Sequence, residues 1–221
     1  MKWNFETDLN GGRIKKLEKD GVLILGTFER VDGKAGNTHV CVPNFAEEGL
    51  ETGLPFHGPF RSLVWQGNNS KLLVSNIGLE VMQKFELDSK FTQKISVKNI
   101  GEVKQPVNVA IHNYFAAEDN WVGLKINGVD VTEEILDSLF FKAKEHNVIE
   151  FLNGKKINID LKGFNFFKLW TGFVMEEGQK VYDTEYVCIE PVRGKSGEYY
   201  GKEESILRPG EILEVSQTIW T

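Results

Sequence analysis

Three dipeptides narrow the folds open to this chain. Asp20-Gly21, Asn127-Gly128 and Asn153-Gly154 each separate two short runs that read as strands. Both residues of such a pair tolerate the positive φ that a tight hairpin turn requires. Arg13 to Leu17 and Val22 to Leu25 flank the first pair. Leu124 to Ile126 and Val129 flank the second, and Val148 to Leu152 and Ile157 to Leu161 the third. Further strands are predicted at Leu63 to Gln66, Lys71 to Asn76, Val81 to Leu87 and Thr92 to Asn99. In the last, Ile95 and Val97 share one face while Lys94, Ser96 and Lys98 share the other, the alternation of a half-buried strand. The expected class is all-β and antiparallel. One helix is predicted from Thr132 to Lys144, where Ile135, Leu136, Leu139, Phe140 and Ala143 recur at helical spacing behind Glu133 and Glu134. Residues 32–38 read as a loop. With no repeat, low-complexity tract or linker, one domain over 1–221 is the economical reading.

Composition excludes several function classes. The net charge is -6 and no basic stripe occurs, so no nucleic-acid partner is expected. The N-terminal residues run straight into charged positions, and Val22 to Leu25 is too short to span a bilayer, so neither export nor membrane insertion is expected and the cytoplasm is the default. Cys41 and Cys188 each sit in an apolar run and read as buried free thiols, with a disulfide as the lesser alternative. No Cys/His pair has zinc spacing, so no metal is expected.

Three places carry groups suited to chemistry. Val107 to Phe115 puts Val107, Val109 and Ile111 on a core face and Asn108, Ala110 and His112 on the other, with Tyr114-Phe115 following. His112, at the end of the alternation, is either a core imidazole bonded to backbone or a group for proton transfer. Gly53 to Arg61 holds two prolines and two glycines within seven residues, which forbids a regular helix and makes a rigid loop presenting His57 and Arg61. Tyr186 to Pro191 places Glu190 at a strand end, where Pro191 is expected to stop the ladder. That carboxylate is either solvated surface or functional.

Taken in order, these pieces resemble the aldose 1-epimerase (mutarotase) superfamily, nearest its hexose-6-phosphate epimerase branch. The resemblance rests on Gly11 to Ile14, on Val40 to Phe45, and on a His-Gly-x-x-Arg loop followed by Trp at His57, Gly58, Arg61 and Trp65. It continues with His112, Tyr114 and Phe115, with Trp170-Thr171-Gly172, with Cys188 to Pro191 and with Leu207 to Glu211. Together the matches span residues 11–219. The chain departs from the branch in being short, in reading Lys34-Ala35-Gly36-Asn37-Thr38-His39 in place of Arg-Gly-Gly before the Cys strand, and in having Phe56 before the loop histidine.

The resemblance implies a large twisted antiparallel β-sandwich and an aldose 1-epimerase-like isomerase that needs no cofactor. It implies exchange of the α and β anomers of an aldose or hexose 6-phosphate by acid/base ring opening and closure. Glu190 would be the base and His112 the acid, the carboxylate helping to keep the imidazole protonated. His57, Arg61 and Trp170 would bind the sugar, with Asn44 and His39 as further candidates, and Arg61 and Lys34 would supply charge for a phosphate. The competing expectation is a carbohydrate-binding β-sandwich without catalysis.

Overall fold

A computed structural model describes residues 2–117, 121–136 and 140–221 of the chain. Two nine-stranded antiparallel sheets dominate it. The first runs Trp3–Asp8, Arg13–Lys19, Val22–Leu25, Tyr114–Ala116, Tyr186–Val192, Ala110–His112, His39–Cys41, and Phe166–Trp170 also pairs with Tyr186–Val192. The second centres on Lys156–Lys162, Ile212–Trp220, Phe91–Asn99 and Leu79–Leu87.

The sheets meet through the apolar face that each strand's alternation supplies. Ile14, Leu17, Val109, Ile111, Phe115 and Ile189 of the first sheet join Val81, Phe91, Ile95, Ile159, Val215 and Ile219 of the second in one buried cluster. Burying each such side chain stabilises the fold by roughly 1.5–3 kcal/mol. Val107, Val109 and Ile111 face this core, as their spacing predicts. Asn108 and His112 face away from it, and Asn108 is bonded to Glu48 Oε2 and Gly194 O. The outer face of the first sheet is thereby left to polar and aromatic groups.

Two turns match their dipeptides closely. Asp20 and Gly21 have φ of 52° and 85°, and Asn127 and Gly128 of 54° and 82°. The third turn is longer than the dipeptide suggests. Gly154 alone is left-handed there, and Phe151 and Lys155 close a wider loop between His146–Glu150 and Lys156–Lys162.

Three expectations are corrected. Among the described residues there is no α-helix, only 3-10 turns at Leu50–Thr52, Phe60–Ser62 and Glu203–Ser205. Thr132 O accepts from the N–H groups of Ile135 and Leu136 for a single turn, residues 137–139 of the expected helix lie outside the described residues, and Phe140–Lys142 is a strand paired with Phe166–Trp170. Tertiary packing overrides propensity there, for Phe140 meets the rings of Phe45 and Phe166. Ala35–Asn37, read as loop, pairs with Thr27–Glu29. Tyr186–Val192 also continues through Pro191, which pairs with Phe167 on one side.

Candidate functional site

Strand register builds the centre of the site. Ala110 pairs with Val192 and Tyr114 with Cys188, a register that sets His112 level with Glu190. His112 pairs with His39 on its other side, and Glu190 with Lys168. His39, His112, Glu190 and Lys168 therefore form one cross-strand row on the outer face of the first sheet. The next row holds Trp170, Cys188 and Tyr114. Residues nearly eighty positions apart in sequence become direct neighbours: His112 Nε2 lies 3.6 Å from Glu190 Oε1, with the two side chains 8% and 2% exposed.

Four rings hold the His112 imidazole. His39 and Tyr114 stack on it with centroids 4.9 and 5.0 Å away, both inclined by 19°. His57 and Trp170 meet it edge-on at 5.2 and 5.8 Å. The arrangement turns the Nε2 edge of the ring toward Glu190.

The loop carrying His57 and Arg61 closes over this row. His57 and Gly58 are both left-handed, with φ of 61° and 76°. Gly58 is needed there, because an added Cβ would come within 1.9 Å of Val42 O. His57 is pinned to Ala46 twice: its N–H donates to Ala46 O at 3.1 Å, and its Nδ1 accepts from Ala46 N–H at 3.2 Å. Nδ1 is thus an acceptor, so Nε2 carries the proton in the neutral ring. Trp65, buried against Gly12, donates Nε1–H to Phe60 O, and Arg13 Nη2 donates to Arg61 O. These bonds anchor the loop from below. The guanidinium of Arg61 has no carboxylate partner among the described residues and lines the cleft.

The cleft has a volume of about 530 Å³, within the range of small-molecule sites. His57, Arg61, His112, Glu190 and Trp170 all line it, as does His39. Asn44 does not. It is completely buried, and its Nδ2 donates to Pro55 O, so this position braces the loop rather than meeting a ligand. Two cationic lining residues, Lys168 and Arg30, escaped the sequence reading. Lys168 could have been found, since it stands two before Trp170 in an alternating strand and so shares its face. Arg30 had no local signal. It reaches the cleft because Asp183 accepts from Val31 N–H, and it lies 4.8 Å over the Trp170 ring while paired with Asp32.

Burial dictates the charge of the imidazoles. It pushes His39 down to about 3, against a smaller opposing effect of its bond to Asn37 O. It pushes His57 down to about 2, helped by His39 and Arg61. His112 is held well below the usual histidine range by burial first, then by His39, His57, Arg61 and Arg30. The expectation that the neighbouring carboxylate keeps His112 protonated is therefore corrected: desolvation and surrounding cations outweigh it. Among the described residues no group of His, Cys, Asp and Glu is arranged to hold a metal ion.

No protein-family model and no curated protein matches the chain. Solved structures do. A galactose mutarotase-like protein from Lactobacillus casei ATCC 334 is similar with a TM-score of 0.75 at 12% identity, over 99% of this chain and 96% of that one. A protein provisionally described as an aldose 1-epimerase, from Escherichia coli K12, gives 0.70 at 17% identity over 98% and 94%. One provisionally described as a mutarotase, from Salmonella typhimurium, gives 0.68 at 14% over 98% and 86%. The fold is therefore the galactose mutarotase-like β-sandwich.

Proposed function

We propose that the protein is a sugar mutarotase, exchanging the α and β anomers of an aldose or a hexose 6-phosphate. One observation carries the reading: a carboxylate and an imidazole, both buried, stand 3.6 Å apart in a cleft that also presents an aromatic wall and a fixed histidine donor. Anomer exchange asks for little more. One group removes the proton of the anomeric hydroxyl while another delivers a proton to the ring oxygen. The ring opens, the C1–C2 bond rotates, and the roles reverse on closure.

In this reading Glu190 takes the hydroxyl proton and the protonated form of His112 gives its own to the ring oxygen. Burial lowers the fraction of His112 that is protonated but makes that form a stronger acid toward a weakly basic ether oxygen. The proton passes to Glu190 and returns, so the pair ends each turnover as it began. His57 would donate Nε2–H to a sugar hydroxyl, and Trp170 would cover a face of the ring. Arg61, without a carboxylate partner among the described residues, favours an anionic substituent such as a 6-phosphate over a plain hydroxyl. Lys168 and Arg30 add positive charge to the same cleft in a chain of net charge -6.

The test is anomer exchange followed by polarimetry or exchange NMR on a panel of aldoses and hexose 6-phosphates. Acceleration is expected, with His112→Ala and Glu190→Gln each lowering it by about 10²–10⁴-fold. Saturable sugar binding without acceleration would replace this reading by that of a carbohydrate-binding sandwich.

A further inference from the structure

The strand that carries His112 breaks one residue beyond it, and the cause lies across the sheet. Odd-numbered residues of Tyr186–Val192 turn their backbone toward the His112 strand: Ile189 O accepts from Asn113 Nδ2, and just past the strand Arg193 N–H donates to Val109 O. Even-numbered residues turn the other way, as Val192 O does toward Asn165 N–H. Pro191 thus faces Ile111 where the ladder calls for an N–H, and proline has none. Ile111 O takes the N–H of Asn113 instead, at 3.0 Å. That bond curls the backbone, so pairing at Ala110–Val192 resumes only at Tyr114–Cys188.

The side chain of Asn113 then fills the gap its backbone leaves. Its Nδ2 donates to Ile189 O at 3.3 Å and to Gln217 Oε1 at 2.9 Å, and Gln217 Nε2 returns to Asn113 Oδ1 at 3.1 Å. Gln217 also donates to Gln93, Gln93 to Gln83, and Gln83 to Gly12 O, each at 2.7 Å. These four amide side chains are at most 1% exposed, inside the apolar sandwich. A buried amide without a partner is costly, so the chain of bonds admits few arrangements. It ends at the break, level with Ile189, the residue before Glu190.

We propose that Pro191, Asn113 and Gln217 are positioning residues for the acid–base pair. Pro191 prevents the two strands from closing beside Glu190, and the Asn113–Gln217 amide pair holds the opened backbone so that His112 keeps its place relative to the carboxylate. The proposal rests on the acid/base reading of that pair.

Three variants test it: Pro191→Ala, Asn113→Ala and the milder Gln217→Met. Asn147→Leu is the control, removing a completely buried amide bonded to Lys144 O and Ile159 O in the second sheet. Asn113→Ala should lower kcat by about 10²-fold, the order of loss that a misplacement of about 1 Å brings, with KM within about threefold of the parent. Pro191→Ala should lower kcat in the same sense while its Tm stays within a few degrees, because the restored N–H bonds Ile111 O and offsets the lost rigidity. The control should lose thermal stability and keep kcat. In Pro191→Ala the new amide of residue 191 should be protected from hydrogen exchange, and in Asn113→Ala the ring 15N shifts of His112 should move.

Pro191→Ala and Gln217→Met proteins that keep kcat within about twofold would overturn the proposal, as would a control that loses kcat as Asn113→Ala does. If the parent shows no anomer exchange, the acid/base reading fails by itself. The exchange and ring-shift measurements still decide the positioning claim: a fast-exchanging residue-191 amide or unmoved His112 shifts would sink it.

Discussion

Mild acid should destabilise this protein through its imidazoles before its carboxylates titrate. His39 and His57 are each only 7% exposed and are pushed down to about 3 and about 2, chiefly by burial. In the unfolded chain both return to about 6.5. The unfolded state therefore binds protons first as pH falls, and stability is full above about 6.5 and is lost below it. At pH 5.5 each ring favours unfolding by about 1.4 kcal/mol, or about 3 kcal/mol for the two. His112 shifts in the same direction and adds to the loss. Such a sum is a large part of the roughly 5–15 kcal/mol that stabilises a typical domain. Urea unfolding at pH 7.5, 6.5 and 5.5 reads it directly, in a window above the ordinary carboxylate range. The double variant His39→Asn/His57→Asn should flatten the slope. A parent protein whose stability changes by less than about 1 kcal/mol across the window, or a double variant that keeps the full slope, would refute the reasoning.

Other outcomes follow from the same geometry. Activity should run against stability: with His112 needed in its protonated form and held well below the usual range, kcat/KM should rise by up to about tenfold per unit from pH 8 to pH 6, as a pH–rate profile will show. Trp170→Ala should raise KM by about tenfold, equivalent to about 1.4 kcal/mol of ring contact, and should lower kcat as well, because the ring also meets His112 edge-on. Gly58→Ala combines a left-handed backbone with a Cβ 1.9 Å from Val42 O, so a loss on the order of 2–4 kcal/mol is expected in thermal unfolding. Cys41 and Cys188 are completely buried and burial raises both thiols well above their usual range, so neither should react with a thiol reagent until the protein unfolds.

Much of the architecture is legible in the chain because it is written in local terms. Period-two alternation in Phe91–Asn99 and Lys156–Lys162, and the Asp20-Gly21 and Asn127-Gly128 turns, depend only on neighbouring residues. Misreadings fall where packing overrules local preference. Phe140–Lys142 has helical spacing, yet its aromatic ring gains more beside Phe45 and Phe166. Ala35–Asn37 has a loop's composition and becomes a strand because Thr27–Glu29 offers it a ladder. Asn44 has the chemistry of a ligand contact and is turned inward to Pro55.

The sequence by itself determined that the chain would form antiparallel strands with one apolar face, and which polar side chains would stand on the other. Only the tertiary structure decided who meets whom. The pairing of His112 with His39 on one side and its alignment with Glu190 on the other follow from strand order and register, which are set by packing between distant segments. The charge of those groups was also decided there, because desolvation depends on what covers a ring and not on the residues beside it in the chain.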